Sequence, residues 1–281
     1  MKNLLIPQLI VLLGISLLSN KIFATAQYPD ILIDGKDTVA IFSNPLERYL
    51  EKKQKRKFCG EKLSWTSTAC YRGYQATWII LNDSLFLLNV RNGCDSKEYF
   101  DLKKEFHTDK KVFAKWYTDT IISPRGELLQ YIHDGYGSIF ENEKSFNVNN
   151  GKIVTVSISN YLQYDRNKLN PSERLLSDTL RRMVISNLDS NKIKEFPDSL
   201  ACLINIRFNE SGLIDSISNE YTYNGIDDFE EYIYAVTIES LRNLTPLMNV
   251  THERYHPPKI GIYFDAHCVK YPLDKEYGCG D

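Results

Sequence analysis

What this chain lacks narrows it first. No run after residue 18 is long and apolar enough to span a bilayer, so no later transmembrane helix is expected. There is no C-x-x-C pair, and neither a thioredoxin-like redox site nor a ribbon-type zinc site is supported. G-x-S-x-G, the P-loop and G-x-G-x-x-G are absent, and with them the hydrolase elbow and the nucleotide cradles. Proline and glycine are sparse, at 10 and 14 of 281 residues, while 43% of the chain is hydrophobic and 25% charged. That balance excludes disorder for the bulk of the chain. The formal charge is only −2, so no overall field draws the chain to nucleic acid.

What is present begins with an address. Lys2 precedes the uncharged apolar run of residues 4–18, LLIPQLIVLLGISLL, which closes on Phe23-Ala24-Thr25-Ala26. Small residues at −3 and −1 predict cleavage after Ala26, and the run is shorter than a membrane anchor needs. The expectation is a signal peptide over residues 1–26 and a periplasmic or secreted protein. The charge becomes −4 when Lys2 and Lys21 leave with the leader. No cysteine follows the apolar segment closely, so a lipid anchor is not indicated. About 255 residues remain, enough for one large domain or two ordinary ones.

All six cysteines lie beyond the leader: Cys59, Cys70, Cys94, Cys202, Cys268 and Cys279. An even count in an exported chain permits disulfides. Cys59 with Cys70 and Cys268 with Cys279 bracket short loops. Cys70 with Cys94 is an equal alternative, because both flank one hairpin.

Residues 27–160 read as a β-rich antiparallel module, a sheet or barrel of short strands. Residues 31–33 and 39–42 flank a D-G turn. Asn44-Pro45-Leu46-Glu47 then opens a helix running to about Arg56. Its basic end, residues 52–57, suits the helix dipole better than a polyanion patch, since nothing aromatic is interleaved. A hairpin is predicted over residues 74–90 around Asn82-Asp83. Further strands are predicted at 112–117, 128–132, 136–140 and 146–156, with turns at Pro124-Arg125-Gly126 and Asn149-Asn150-Gly151.

Residues 161–281 read as an α+β module of helix, hairpin, helix and strand. Asn170-Pro171-Ser172-Glu173 caps a helix whose Leu176, Leu180, Met183 and Val184 form an apolar stripe. Leu203-Ile204-Asn205-Ile206-Arg207-Phe208 is a strand, Asn209-Glu210-Ser211-Gly212 a turn, and residues 213–217 the return. A helix opening at Asp227-Asp228-Phe229-Glu230 is expected to face Phe229, Ile233, Val236 and Leu244 inward and to stop at Pro246. Residues 260–264 form the last strand.

That order resembles the TonB C-terminal domain, the periplasmic part of an energy-transducing protein. The matching residues are 203–208, the Asn209-Glu210-Ser211-Gly212 turn, 213–217, the helix of Phe229 and Leu244, the Leu244-Thr245-Pro246 loop and 260–264. The resemblance implies a fold and a habit of pairing strand edges with protein partners. It does not extend to energy transduction: a retained anchor and a Pro-rich spacer are missing, and the approach to the helix through residues 221–225 is longer. The first part, with residues 69–78 and 135–139, is similar to secreted bacterial proteins of uncharacterised role, which implies no activity.

One motif invites chemistry. His252-Glu253-Arg254-Tyr255-His256 matches H-E-x-x-H, whose zinc chemistry requires a helix to bring both imidazoles to one face. Pro257 and Pro258 follow at once, and a residue before proline is driven out of the α region. The expectation is a loop. His107 and His133 lack ligand spacing. Trp65, Trp78 and Trp116 could form a sugar-stacking face or, more simply, fill a core. Asp-Ser/Thr-aliphatic triplets recur at Asp37, Asp83, Asp119, Asp178, Asp198 and Asp215. Turn chemistry accounts for at least three of them, and O-glycosylation is the alternative. No catalytic, cofactor-binding or metal-ligating residue is assigned. The favoured reading is a non-enzymatic envelope protein acting on an unidentified envelope or secreted protein partner. The alternatives are a metal-dependent hydrolase using His252, Glu253 and His256, or a glycan-binding module.

Overall fold

The computed structural model describes residues 25–53, 56–108, 110–222 and 228–272. Helices and strands are mixed, around one large and one small sheet. The signal peptide expected over residues 1–26 lies outside the described residues except for Thr25 and Ala26, and Ala26 bridges Gly135.

The first hairpin is β1 (Asp30–Asp34) and β2 (Asp37–Ile41), turned by Gly35 in the left-handed region that the D-G signal requires. Helix α1 (Pro45–Lys53) starts at the proline, buries Leu46 and Leu50, and ends on Lys52 and Lys53. Strands β3 (Lys57–Phe58) and β4 (Glu61–Lys62) make a small ribbon. β5 (Tyr74–Leu81) and β6 (Ser84–Asn92) follow, with Asn82 and Asp83 both at positive φ, the geometry of a two-residue hairpin turn. Next come α2 (Leu102–Phe106) and β7 (Val112–Phe113). The long strands β8 (Asp119–Gln130), β9 (Ile139–Asn149) and β10 (Lys152–Asn160) complete the sheet, in the order β2-β1-β5-β6-β10-β9-β8 with β7 on β6.

Three expectations are corrected here. The sheet is mixed, because β1 pairs with β5 in parallel. A parallel neighbour needs a crossover, and the intervening α1 and the β3–β4 ribbon provide it. Pro124-Arg125-Gly126 is no turn: β8 runs through it, absorbing Gly126 (φ +77°) in a register shift against β9. Proline is tolerated there because β8 ends the sheet path, where a missing donor breaks no ladder. The strand foreseen at 112–117 shortens to two residues before the chain turns at Lys115 and Trp116.

The sheet nearly closes on itself. The Phe42 amide donates to the Ile122 carbonyl at 2.7 Å, and Ser123 Oγ donates to the Ala40 carbonyl. β8 therefore lies against β2, and Trp78, Leu85, Leu87, Ile121, Phe146 and Val148 fill the interior.

Helix α3 (Glu173–Ser186) buries Leu176, Leu180 and Val184 on the expected stripe, but it begins after Ser172 rather than at Asn170. The Asn170 side chain instead accepts from the Ser172 amide, a turn that precedes the helix. After α4 (Ser190–Glu195), β11 (Ala201–Phe208), β12 (Ile214–Thr222) and β13 (Lys259–Asp265) form an antiparallel sheet ordered β12-β11-β13. Helix α5 (Asp228–Leu241) covers it with Phe229, Ile233, Thr237 and Leu241. It stops at Leu241, short of Pro246, so Leu244 packs from the following loop. Helix α6 (Ala266–Lys270) ends the described chain.

A third cluster, Leu129, Ile139 and Leu162 with Ile132, Met248, Val250 and Tyr255, joins the two sheets. Leu162 bridges Val250 in strand fashion.

Candidate functional site

Where β8 meets β2, a cleft of about 480 Å³ opens between α1 and the β8 end of the sheet. Glu47, Arg48, Glu51, Tyr71, Tyr117 and Asp119 line it. Helix α1 places Glu47, Arg48 and Glu51 within one turn and a half, so three charged heads leave the same rod. Arg48 donates to Asp119 at 2.9 Å and reaches Glu51 at 3.4 Å, while Arg56 holds Glu47 at 2.9 Å. The Arg48 hydrogen bond, helped by the Thr120 amide, keeps the Asp119 carboxyl below its usual range. Burial pushes the Tyr117 phenol up, and its hydroxyl donates to the Thr120 carbonyl. The charges of the cleft are thus spent on one another.

Behind the cleft lies a buried ion pair. Asp30 and Arg72 are 0% and 1% exposed, and Arg72 Nη1 donates to Asp30 Oδ1 at 2.9 Å. Asp30 also accepts from the Ala76 amide and from Trp78 Nε1. Arg72 donates in addition to the Tyr28 carbonyl and lies over the Tyr74 ring. Burial works against the Arg72 charge, but Asp30 outweighs it and the guanidinium stays firmly protonated. Burial first, then the Asp30 charge, hold the Tyr74 phenol well above its ordinary value. Two segments more than 40 positions apart, residues 28–30 and 72–78, meet in this knot, and no spacing in the sequence announces it.

Comparison with protein-family models, with curated proteins and with solved structures finds no match. The chemistry of the remaining candidates rests on their geometry alone.

Residues 252–256 form a single turn followed by extended chain. The Tyr255 amide donates to the His252 carbonyl, and the Arg254 amide donates to His252 Nδ1. The His252 ring stands edge-on to Tyr161 at 4.7 Å, and burial holds its pKa below the ordinary imidazole value. His256 is occupied through its backbone: Gln130 donates to its carbonyl at 2.8 Å and accepts from its amide at 3.1 Å. The segment is a clasp between β8 and the second sheet, lining a cleft of about 350 Å³ with the 210–212 turn. Among the described residues no group of three His, Cys, Asp or Glu side chains gathers as metal ligands do.

The aromatic candidates divide. Trp78 is fully buried, and Trp116 stacks on Phe106 while donating to the Pro45 carbonyl. Trp65 alone of the three is exposed, at 70%. His107 sits at positive φ as the cap of α2, and His133 meets the Tyr131 hydroxyl.

Of the cysteine alternatives, the structure forms Cys70–Cys94. Cys59 stays a buried thiol, pushed up to about 12 by burial and the Glu105 charge. Cys268 is disulfide-bonded, and Cys279, its partner by spacing, lies outside the described residues. Among the triplet hydroxyls, Thr38, Ser199 and Ser216 are exposed and Ser84 is buried. Thr120 and Thr179 have hydroxyls engaged with Asn147 and with the Leu175 carbonyl.

Proposed function

We propose that the protein is exported and acts without catalysis, through contacts with other proteins of the cell envelope. The observation that carries this reading is the disposition of strand edges. Among the described residues, β12 and β13 are the outer strands of a three-stranded sheet, and β10 is unpaired along most of one side. Edges of this kind recruit protein partners through backbone hydrogen bonds. The order of β11, the 209–212 turn, β12, α5, the Pro246 loop and β13 supports the resemblance to the TonB C-terminal domain. The Cys70–Cys94 disulfide supports an oxidising compartment, in line with the leader of residues 1–26.

The hydrolase alternative has His252, Glu253 and His256 held in a turn, with one imidazole against Tyr161 and one backbone clipped by Gln130. Pull-down from envelope extract tests the favoured reading, and recovery of nothing above background overturns it. Metal analysis of the same preparation serves as the counter-test, since stoichiometric zinc would restore the hydrolase.

A further inference from the structure

We infer that the open side of β10, residues 154–160, is a docking slot for a single extended, uncharged peptide strand of a partner protein. This deepens the protein-contact reading above and rests on it. β10 pairs with β9 along its whole length, but on its other side it meets β6 only at Lys152 opposite Ser84. Beyond that point β6 is covered by β7, through Phe86 opposite Phe113 and Leu87 opposite Val112. The chain is paired again at Leu162, which bridges Val250, with the Thr251 amide donating to the Tyr161 carbonyl at 2.8 Å. Among the described residues no strand pairs with the seven positions between. They span about 23 Å at about 3.3 Å per residue, which leaves a row of backbone donors and acceptors open to a strand.

The side chains describe the occupant. Residues 153–160, IVTVSISN, carry no charge in a chain that is 25% charged. Val156 lies opposite the buried Phe146, and Ile158 opposite Lys144, so both point to the inner face of the sheet. They are nevertheless 51% and 62% exposed, and Val154, at the bulge, is 58% exposed. Thr155, Ser157 and Ser159 point to the other face. A strand of alternating aliphatic and hydroxyl residues continues both rows without opposing a charge to an apolar position. β8, the last strand of the same sheet path, is blunted by Pro124, Arg125 and a register shift and lies against β2; β10 has neither proline nor charge over residues 153–160, and its one register shift lies at its start, between Ile153 and Thr155.

The brackets at either end choose between occupants. A second copy pairing its own β10 here would bring its Ser84 edge onto Leu162 and its Lys152 onto Val250. A free peptide strand carries no such flanks and fits the gap.

The test is fluorescence anisotropy with a labelled nonapeptide, Lys-Thr-Val-Thr-Val-Thr-Val-Thr-Lys, whose uncharged seven-residue core matches the slot and whose lysines fall outside it, titrated with the purified protein and with its Ile158→Lys and Val156→Pro variants. Wild type is expected to saturate with a Kd of about 10–100 μM, and both variants to bind at least about tenfold more weakly. Ile158→Lys changes a side chain already exposed, and the like charge it sets opposite Lys144 lowers the thermal melt by at most a few degrees, so it secures the result if the proline variant fails to fold. No binding at about 1 mM peptide, or equal binding by wild type and Ile158→Lys, overturns the slot. A concentration-dependent dimer that Ile158→Lys abolishes also overturns it, in favour of a second copy. If Ile158→Lys retains an envelope partner in pull-down while the peptide does not bind, the slot falls and the protein-contact reading stands.

Discussion

The two sheets of this chain reach their cores by different routes. The large sheet carries an ion pair, a disulfide and an aromatic cluster around Trp78 and Trp116, with the Asp30 bonds joining residues more than 40 positions apart and the disulfide residues 24 apart. The small sheet buries an almost purely aliphatic and phenylalanine layer under α3 and α5, with contacts that follow each helix's own periodicity. The first core is specified by a few polar bonds that must all be made, the second by volume and pattern. Loss of one member should therefore be felt differently on the two sides.

All three tryptophans lie in the first region, so their fluorescence reports it while far-UV circular dichroism follows the helices as well. The largest effect is expected for Arg72→Met. It leaves Asp30 buried without its cation, at a cost of about 3–5 kcal/mol in the tryptophan-detected unfolding transition. Adding Asp30→Leu restores only part of this, because Trp78 Nε1 and the Ala76 amide then lose their acceptor. A full recovery would show that the pair acts alone.

Removing the Cys70–Cys94 bridge by Cys70→Ser with Cys94→Ser comes next. Its sequence separation of 24 corresponds to about 3.5 kcal/mol of loop-closure entropy. Leu180→Ala, on a fully buried position of α3, should cost about 3 kcal/mol. If the two regions unfold separately, it moves the dichroism transition and leaves the tryptophan transition in place. A shift of both by the same amount would make the chain one cooperative unit and dissolve the comparison. Gln130→Ala tests the same coupling more gently. It removes two hydrogen bonds to the His256 backbone at the joint, for about 1 kcal/mol, and should separate the two transitions further.

The smallest effect is set by pH. Glu105 is pulled upward by burial, but Lys53, Tyr49 and the Cys59 amide outweigh it and hold the carboxyl below its ordinary value. A carboxyl depressed in the folded state stabilises fully above its unfolded pKa, and that stability is lost as pH falls through the folded one. The tryptophan-detected stability should therefore decline below about pH 4.3. Glu105→Gln should flatten that decline, and an unchanged slope would assign the acid sensitivity to other carboxylates.

Turn residues and helical stripes were readable in advance because they are local. Gly35, Asn82-Asp83 and Asn150-Gly151 turn where expected, since positive φ at these residue types is a property of a few adjacent atoms. The stripe of Leu176, Leu180 and Val184 and the alternation in β11 and β13 were equally plain. The charged run Glu141-Asn142-Glu143-Lys144 concealed the middle of β9, because its pairing with β8 outweighs local propensity. The clasp at residues 252–256 was half legible: the prolines announced a loop, but nothing announced Gln130 as its partner. The ion-paired cleft of Glu47, Arg48 and Asp119 had no local signature at all.

The sequence alone determined the turns at Gly35, Asn82-Asp83 and Asn150-Gly151, the apolar stripe of α3 and the exclusion of a helix at the H-E-x-x-H segment, all settled within a few residues by sterics. Tertiary structure alone decided that Asp30 and Arg72 share a buried bond, that Cys70 takes Cys94, and that β10 meets β6 only at Lys152 opposite Ser84. Those outcomes depend on which distant segments arrive as neighbours, and the free energy that selects them exists only once the sheet is assembled.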